Sequence, residues 1–113
     1  MDHLFLRRLD ILSPNYMFEY LIFSGIGNPS DFKDILVENK FNVSREIIFP
    51  DHYDYSLNDL EKIQKIAKNE SLEIITTEKD FMKIPEEFKK EINFLSIDLV
   101  IQDERKLIEL LTK

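Results

Sequence analysis

The sequence of 113 residues contains no cysteine, which excludes a disulfide framework, a zinc site built from thiolates and a cysteine nucleophile. We therefore expect a protein of a reducing compartment, the cytoplasm. The longest apolar runs, such as residues 20–23, are far shorter than the ~20 residues that a membrane-spanning helix needs. The first residues, Met1-Asp2-His3, lack the basic start of a signal peptide. Neither a membrane span nor secretion is expected.

Basic residues are also scarce, because 22 aspartate and glutamate residues outweigh 15 lysine and arginine residues and give a net charge of -7. The basic residues are dispersed along the chain rather than clustered, so no nucleic acid partner is expected. A chain of this length is expected to form one domain that removes roughly two-thirds of its unfolded surface from water. Such a domain needs no crosslinks to fold.

Glycine occurs only at Gly25 and Gly27. The two residues could form half of a dinucleotide-binding fingerprint, G-x-G-x-x-G, but Ser30 stands at the third glycine position. The spacing therefore favours a tight turn that lets a helix pack against the preceding strand. No cofactor-binding residue is predicted from it, and no metal site is predicted anywhere in the chain.

Strand-like and helical patterns alternate along the rest of the chain. Apolar, β-branched and aromatic residues predict strands over residues 18–24, 41–49, 73–77 and 92–101. Helical spacing or capping residues follow each of them, and a final helix is expected from Asp103. This alternation predicts a Rossmann-like α/β fold, a mainly parallel sheet with helices on both faces. We therefore predict a linker or interdomain segment over residues 1–17 and a single α/β domain over residues 18–113.

Local signals also mark where the helices begin and end. Asn28 can cap the first helix, and Pro29 suits its first position because the missing N–H would be unpaired there. That helix is expected to end near Asn39, a residue type that tolerates a left-handed cap. Ser56 and Asp59 have the spacing of a capping box, just before the most regular helical pattern in the chain.

Two segments, residues 25–29 and 49–56, lie where a predicted strand gives way to a helix. In an open α/β sheet, such turns form the ligand-binding edge. The second segment places His52 beside Asp51, and an imidazole is suited to proton transfer because its unperturbed pKa lies near neutral pH. From the residues alone, a turn stabilised by Asp51 with His52 exposed to solvent is favoured over a proton-handling site.

Polar residues also follow the third predicted strand, over residues 76–80. Capping of a short helix explains them, with Lys79 solvated, whereas their place at the carboxyl edge of the sheet leaves a functional role open. Lys83 is typical of ordinary surface charge. Pro85 is expected to interrupt the short helix.

Three ordered motifs resemble those of the tetraacyldisaccharide 4'-kinase family. They are Gly25-Ile26-Gly27-Asn28-Pro29 with Phe32, Phe49-Pro50-Asp51-His52-Tyr53 with Tyr55, Ser56, Asp59 and Leu60, and Thr76-Thr77-Glu78-Lys79-Asp80 with Lys83. The resemblance covers about residues 20–101, which correspond to the carboxyl-terminal half of a typical family member. It implies an enzyme of lipid A assembly at the cytoplasmic face of the inner membrane of a Gram-negative bacterium. Such an enzyme moves the γ-phosphoryl group of Mg-ATP to the 4'-hydroxyl of an acylated disaccharide-1-phosphate.

The sequence also departs from the family pattern. Family members carry a P-loop, G-x-x-x-x-G-K-[ST], which two glycines cannot form in the usual way. The resemblance therefore implies that ATP and Mg²⁺ belong to an amino-terminal P-loop domain, in the same or a separate chain, and that neither binds tightly to this chain alone. The expected partners are that domain, the lipid A disaccharide precursor and, through the complete enzyme, the membrane surface. This chain by itself is expected to be inactive. Two single positions also differ from the family: Tyr53 stands where many members have a second histidine, and Asn39 stands where glycine is usual.

Position by position, the resemblance implies that His52 is a catalytic residue that faces the cleft and assists an aspartate of the other domain in preparing the sugar hydroxyl. Asp51 is expected to orient or hydrogen-bond its ring, provided that Pro50 has already ended the strand. The residues expected to shape the cleft are Gly25, Gly27, Asn28, Thr77, Lys79 and Asp80. Two alternatives stay open: a noncatalytic interaction module left by a decayed kinase, and an independent nucleotide-binding protein that uses the Gly25 to Gly27 turn.

Overall fold

The computed structural model describes residues 18–95. The strands are β1 (Glu19–Ser24), β2 (Val43–Ile48), β3 (Leu72–Thr77) and β4 (Ile92–Leu95). The helices are α1 (Pro29–Glu38), α2 (Leu57–Glu70), α3 (Glu78–Phe81) and α4 (Glu86–Lys89). The predicted linker over residues 1–17, the end of the predicted strand over 92–101 and the predicted final helix lie outside the described residues.

The four strands form one sheet in the order β2-β1-β3-β4, and every neighbouring pair is parallel. The predicted α/β class with a mainly parallel sheet is therefore confirmed. From β1 the chain crosses to β2 on one side, then returns across β1 to β3 on the other. The direction of winding thus reverses between β1 and β3, and the carboxyl ends of two such strands border the usual ligand-binding crevice of an open α/β sheet.

Alternate residues of β1 point to opposite faces of the sheet. One face packs on α1, in a buried cluster that contains Tyr20, Ile22, Phe32, Ile35 and Leu36. The other face packs on α2 and the α3–α4 segment, in a cluster that contains Leu21, Phe23, Leu60, Ile63, Phe81 and Phe88. Helices on both faces, as predicted, leave the edges of the sheet as the places where polar side chains gather.

The predicted starts of α1 and α2 are confirmed. Pro29 is the first residue of α1 and Asn28 precedes it, although the Asn28 side chain makes no capping hydrogen bond. At α2 the capping box is complete, because the Asp59 N–H donates to Ser56 Oγ and the Ser56 N–H donates to Asp59 Oδ2, each over 3.0 Å. This box begins α2 directly after the loop that carries His52.

α1 ends at Glu38 with Asn39 as its C-cap, as predicted, but Asn39 is not left-handed, since its φ is -96°. The left-handed residue is Lys40, with a φ of 73°. The Lys40 N–H donates to Val37 O and the Phe41 N–H donates to Leu36 O, each over 3.0 Å, which is the Schellman pattern. That pattern places the positive φ one residue after the cap and draws the following residue into the core, so β2 begins later than predicted.

Candidate functional site

The predicted site residues follow the carboxyl ends of three parallel strands, so the fold brings them to one edge of the sheet. Gly25, Gly27 and Asn28 come after β1, and residues 51–52 come after β2. Thr77 ends β3, and Lys79 and Asp80 follow in α3. The central pair, β1 and β3, is the place where the winding reverses. We call this set of turns the carboxyl rim.

Asp80 is the most buried member of the carboxyl rim, with 0% of its surface exposed. Its carboxylate accepts the Gly25 N–H, at 3.2 Å to Oδ1 and 3.1 Å to Oδ2. It also accepts the Thr77 hydroxyl over 2.6 Å and the Tyr55 hydroxyl over 3.0 Å. The donors come from the end of β1, the end of β3 and the loop between β2 and α2. Asp80 therefore lies inside the rim and joins the three turns, and exposes no surface to a cleft.

Gly25 lies where the turn after β1 meets the loop after β2. A Cβ atom at this position would lie 3.0 Å from Pro50 O, 3.2 Å from Tyr53 Cβ and 3.3 Å from Tyr55 Oη. The first of these distances involves a backbone atom, which cannot move without the rest of the loop. The close approach of two chain segments, rather than an unusual φ, accounts for glycine here.

Aromatic rings fill the space beneath the loop between β2 and α2. Tyr55 packs edge-on against Phe23 and Phe49, with ring centroids 5.3 Å and 5.0 Å apart, and Tyr53 stacks on Phe49 at 4.8 Å. Desolvation, and next the negative charge of Asp80, raise the pKa of Tyr55 far above its usual 10. The Tyr55 hydroxyl thus remains a donor to the carboxylate at any ordinary pH.

His52 projects from this loop into solvent, with 66% of its side chain exposed. Its backbone is left-handed, with a φ of 63°, and its N–H donates to Gly25 O over 3.0 Å. Among residues 18–95, the other non-glycine residues with positive φ are Lys40 and Ser71, which follow the ends of α1 and α2 as helix caps commonly do. At His52 the conformation belongs to a tight turn over residues 50–53, closed by the Tyr53 N–H donating to Pro50 O over 3.1 Å, in which the third residue takes a positive φ. The hydrogen bond to Gly25 O attaches this turn to the turn after β1.

Asp51 lies beside the imidazole, with Oδ1 3.8 Å from His52 Nε2. That separation suits an ion pair with a protonated ring but is too long for a hydrogen bond. Asp51 and His52 can cooperate only if the strand has ended before them, and it has, because β2 ends at Ile48 and residues 51–52 form a turn. Whether Asp51 orients the ring stays a prediction.

The remaining predicted residues differ in exposure. Lys79 and Gly27 are exposed, Asn28 is half-buried, and Thr77 is buried against Asp80. Lys83, interpreted as ordinary surface charge, donates from Nζ to Tyr53 O over 3.1 Å and so supports the loop that carries His52. From the sequence, Tyr53 and Tyr55 had no predicted role, and Asp59 was predicted only as a member of the capping box. Their signal was two tyrosines, two residues apart, directly before a capping box.

Tyr53 fastens the same loop to α2. Its hydroxyl donates to Asp59 Oδ2 over 2.7 Å, on the carboxylate that also accepts the Ser56 N–H. The hydrogen bond to Asp59 raises the pKa of Tyr53, and the Ser56 N–H is the main cause of the lowered pKa of Asp59. The capping box of α2 therefore serves both the helix and the loop.

The geometry does not fit a nucleotide phosphate at the turn after β1. A phosphate needs free backbone N–H groups, whereas the Gly25 N–H already donates to the Asp80 carboxylate, whose negative charge would repel an anion. Within residues 18–95, no group of three acidic or histidine side chains is placed to hold a metal ion. The alternative of an independent nucleotide-binding protein loses its main support.

A cavity of about 740 Å³ lies at the opposite, amino-terminal edge of the sheet. Charged side chains from the end of α2 and from the turn before β4 surround it, including Lys65, Lys68, Lys90 and Glu91. None of the predicted site residues lines it. In the part of the chain described by the structure, no helix combines the length and the apolar character that crossing a membrane requires.

Comparisons with known proteins agree with one another. A family model described as tetraacyldisaccharide-1-P 4'-kinase matches residues 9–113. The tetraacyldisaccharide 4'-kinase of Pelagibacter ubique (strain HTCC1062) is 42% identical over 94 residues, which are 83% of this chain and 30% of that protein. The protein of the same name from Rickettsia akari (strain Hartford) is 38% identical over 94 residues, 83% of this chain and 29% of that protein.

A more distant relative, the tetraacyldisaccharide 4'-kinase of Gluconobacter oxydans (strain 621H), is 29% identical over 92 residues, 79% of this chain and 28% of that protein. No solved structure matches the chain. The chain thus spans less than a third of the length of these relatives.

Proposed function

The chain belongs to the tetraacyldisaccharide 4'-kinase family, and from this premise we propose that it forms the histidine-bearing wall of the catalytic cleft in such a kinase. The complete enzyme transfers the γ-phosphoryl group of Mg-ATP to the 4'-hydroxyl of the lipid A disaccharide-1-phosphate precursor. It works at the cytoplasmic face of the inner membrane. The observation that carries the proposal is His52, an exposed imidazole whose backbone is held at the carboxyl rim.

An exposed imidazole at this place can exchange a proton with the sugar hydroxyl or with a second base. A neutral imidazole accepts a proton on its unprotonated ring nitrogen, which is what a general base requires. Exposure of the ring supports the proposal, because the ring must meet groups that this chain does not contain. Asp51 Oδ1 lies 3.8 Å from His52 Nε2, close enough to form an ion pair with the ring once it has accepted a proton.

The residues that bind ATP belong to an amino-terminal P-loop domain, in the same protein or in a separate chain. Two observations support this division. The chain spans about 30% of the length of its relatives, and the Gly25 N–H at its own strand-to-helix turn is bonded to Asp80. Mg-ATP supplies the phosphoryl group. Phosphoryl transfer depends on a loop of backbone N–H groups that holds the phosphates and on a bound metal ion, and the described residues form neither such a loop nor a site for the ion.

The test combines this chain with the separately produced amino-terminal domain of the kinase. ATP-dependent phosphorylation of the lipid A disaccharide precursor is followed in each part alone and in the mixture. We expect activity only in the mixture. Substituting the histidine with asparagine, His52→Asn, removes the titrating ring while keeping a residue type that tolerates a positive φ. We expect this variant to lower kcat by about 100-fold or more, the usual contribution of a proton-transfer group.

Lys40→Ala is the matched control, since Lys40 is also exposed and left-handed but lies at the opposite edge of the sheet. It should leave the rate unchanged. A His52→Asn mixture as fast as the unsubstituted one would refute the role of His52. A mixture that is inactive even with the unsubstituted chain would instead support the noncatalytic remnant.

In cell fractions, the assembled pair should sediment with inner-membrane vesicles. An assembled pair found only in the soluble fraction would contradict the proposed location.

A further inference from the structure

Asp80 places a buried carboxylate in the first turn of α3, where the Thr77 hydroxyl already caps the helix. Asp80 exposes none of its surface, and no ion pair to it is found among residues 18–95. Hydrogen bonds from Gly25, Thr77 and Tyr55 compensate its charge instead. The cap of α3 needs only the Thr77 hydroxyl, which accepts the Asp80 N–H over 3.0 Å. The carboxylate therefore serves something other than the cap.

The hydrogen bonds lead from Asp80 to His52 in two directions. Gly25 donates its N–H to Asp80 and accepts the His52 N–H on its own oxygen, so one residue separates the buried carboxylate from the backbone of the histidine. Tyr55, three residues after His52, donates to the same carboxylate. The segment that carries His52 is thus anchored on both sides, and its left-handed backbone lies between the two anchors.

A carboxylate is suited to accept all of these donors. It offers several lone pairs and no donor of its own, whereas an amide at the same place would set an NH₂ group against at least one incoming N–H or O–H. The donors belong to three different turns, so their common acceptor sets the distance between those turns.

We propose that Asp80 is a positioning residue, which joins the turns after β1, β2 and β3 and thereby holds the turn that carries His52 in place at the carboxyl rim. Its effect on catalysis rests on the function proposed above, whereas its effect on the position of His52 does not. Both parts can be tested with the full chain.

The first arm measures hydrogen exchange of the His52 amide by NMR in the chain alone. Tyr55→Phe removes one donor to Asp80 and keeps the ring that packs on Phe23 and Phe49, and Asp80→Asn weakens the acceptor. The matched control is Thr76→Val, which removes a buried hydroxyl bonded to Phe23 O over 2.7 Å, on β3 and away from the loop. The rate for His52 is compared with that of the core amides of β3, so that a change in global stability cancels.

We expect Tyr55→Phe to accelerate exchange at His52 at least tenfold relative to the core, and Thr76→Val to leave the ratio unchanged. If the Asp80→Asn chain folds, it should accelerate exchange at His52 more than Tyr55→Phe does. If it does not fold, the result for Tyr55→Phe alone decides the test. No relative acceleration in Tyr55→Phe would overturn the proposal, whatever the chain does in the kinase assay.

The second arm uses the mixture with the amino-terminal domain. Tyr55→Phe should lower kcat about tenfold and change KM less than twofold, because the reacting group is misplaced while substrate contacts persist. In the His52→Asn background the same substitution should cost nothing further. An equal loss in both backgrounds would show a general structural effect and overturn the positioning role. If His52→Asn itself leaves the rate unchanged, the proposed function fails, and the exchange measurement still decides whether Asp80 holds the loop.

Discussion

Replacing Gly25 with alanine tests the close contact on which the carboxyl rim depends. The added methyl group would lie 3.0 Å from Pro50 O and 3.2 Å from Tyr53 Cβ, closer than ordinary van der Waals contact. Pro50 O is a backbone atom, so relief requires movement of the loop that carries His52. The φ of Gly25 is not positive, so alanine meets no conformational penalty there and the whole cost is steric.

The magnitude follows from two opposing effects. Inserting a methyl group into a packed contact typically costs about 1–3 kcal/mol. Replacing glycine in the unfolded chain returns about 0.4–1 kcal/mol, because alanine has fewer conformations to lose. We therefore expect Gly25→Ala to lower the free energy of unfolding by about 1–2 kcal/mol.

Urea denaturation of the full chain, followed by circular dichroism, measures this change. Gly27→Ala is the matched control, since Gly27 is exposed and its φ is not positive either. We expect the control to be as stable as the original chain or slightly more so, with the same dependence on urea. A Gly25→Ala chain as stable as the Gly27→Ala chain would refute the account of the contact.

Two further predictions concern stability. Folding favours the neutral form of Tyr55, whose pKa is raised, so its contribution is complete below the unfolded pKa of 10.0 and is lost as the pH rises above that value. Between pH 10 and 11, the free energy of unfolding of the original chain should fall by at most about 1.4 kcal/mol per pH unit, and that of Tyr55→Phe should fall less steeply. Urea denaturation at several pH values measures both slopes, and equal slopes in the two chains would contradict this account. On α2, Leu60 is fully buried and Leu57 is 56% exposed. Leu60→Ala should cost about 2–5 kcal/mol and Leu57→Ala less than about 0.5 kcal/mol, and similar midpoints in urea would refute the orientation of the helix.

Short-range patterns in the sequence determined the fold class and the place of the site. Pro29 and the pair Ser56 and Asp59 act on neighbouring backbone groups, so their effect is visible within a few residues. The alternation of strands and helices implies parallel strands, and parallel strands bring their following turns to one edge. Together these features predicted that His52 and the residues around it would gather at the carboxyl rim.

Tertiary structure alone decided which distant residues contact and hydrogen-bond one another within that rim. Asp80 and Gly25 are 55 residues apart, and nothing near either residue in the sequence announces their hydrogen bond. The same holds for the contact that excludes a Cβ at Gly25 and for the hydrogen bond from the His52 N–H to Gly25 O that holds the histidine at the rim. Burial of a carboxylate depends on donors arriving from several distant segments at once. Local sequence signals report only neighbouring groups, whereas the packed sheet determines which distant ones meet.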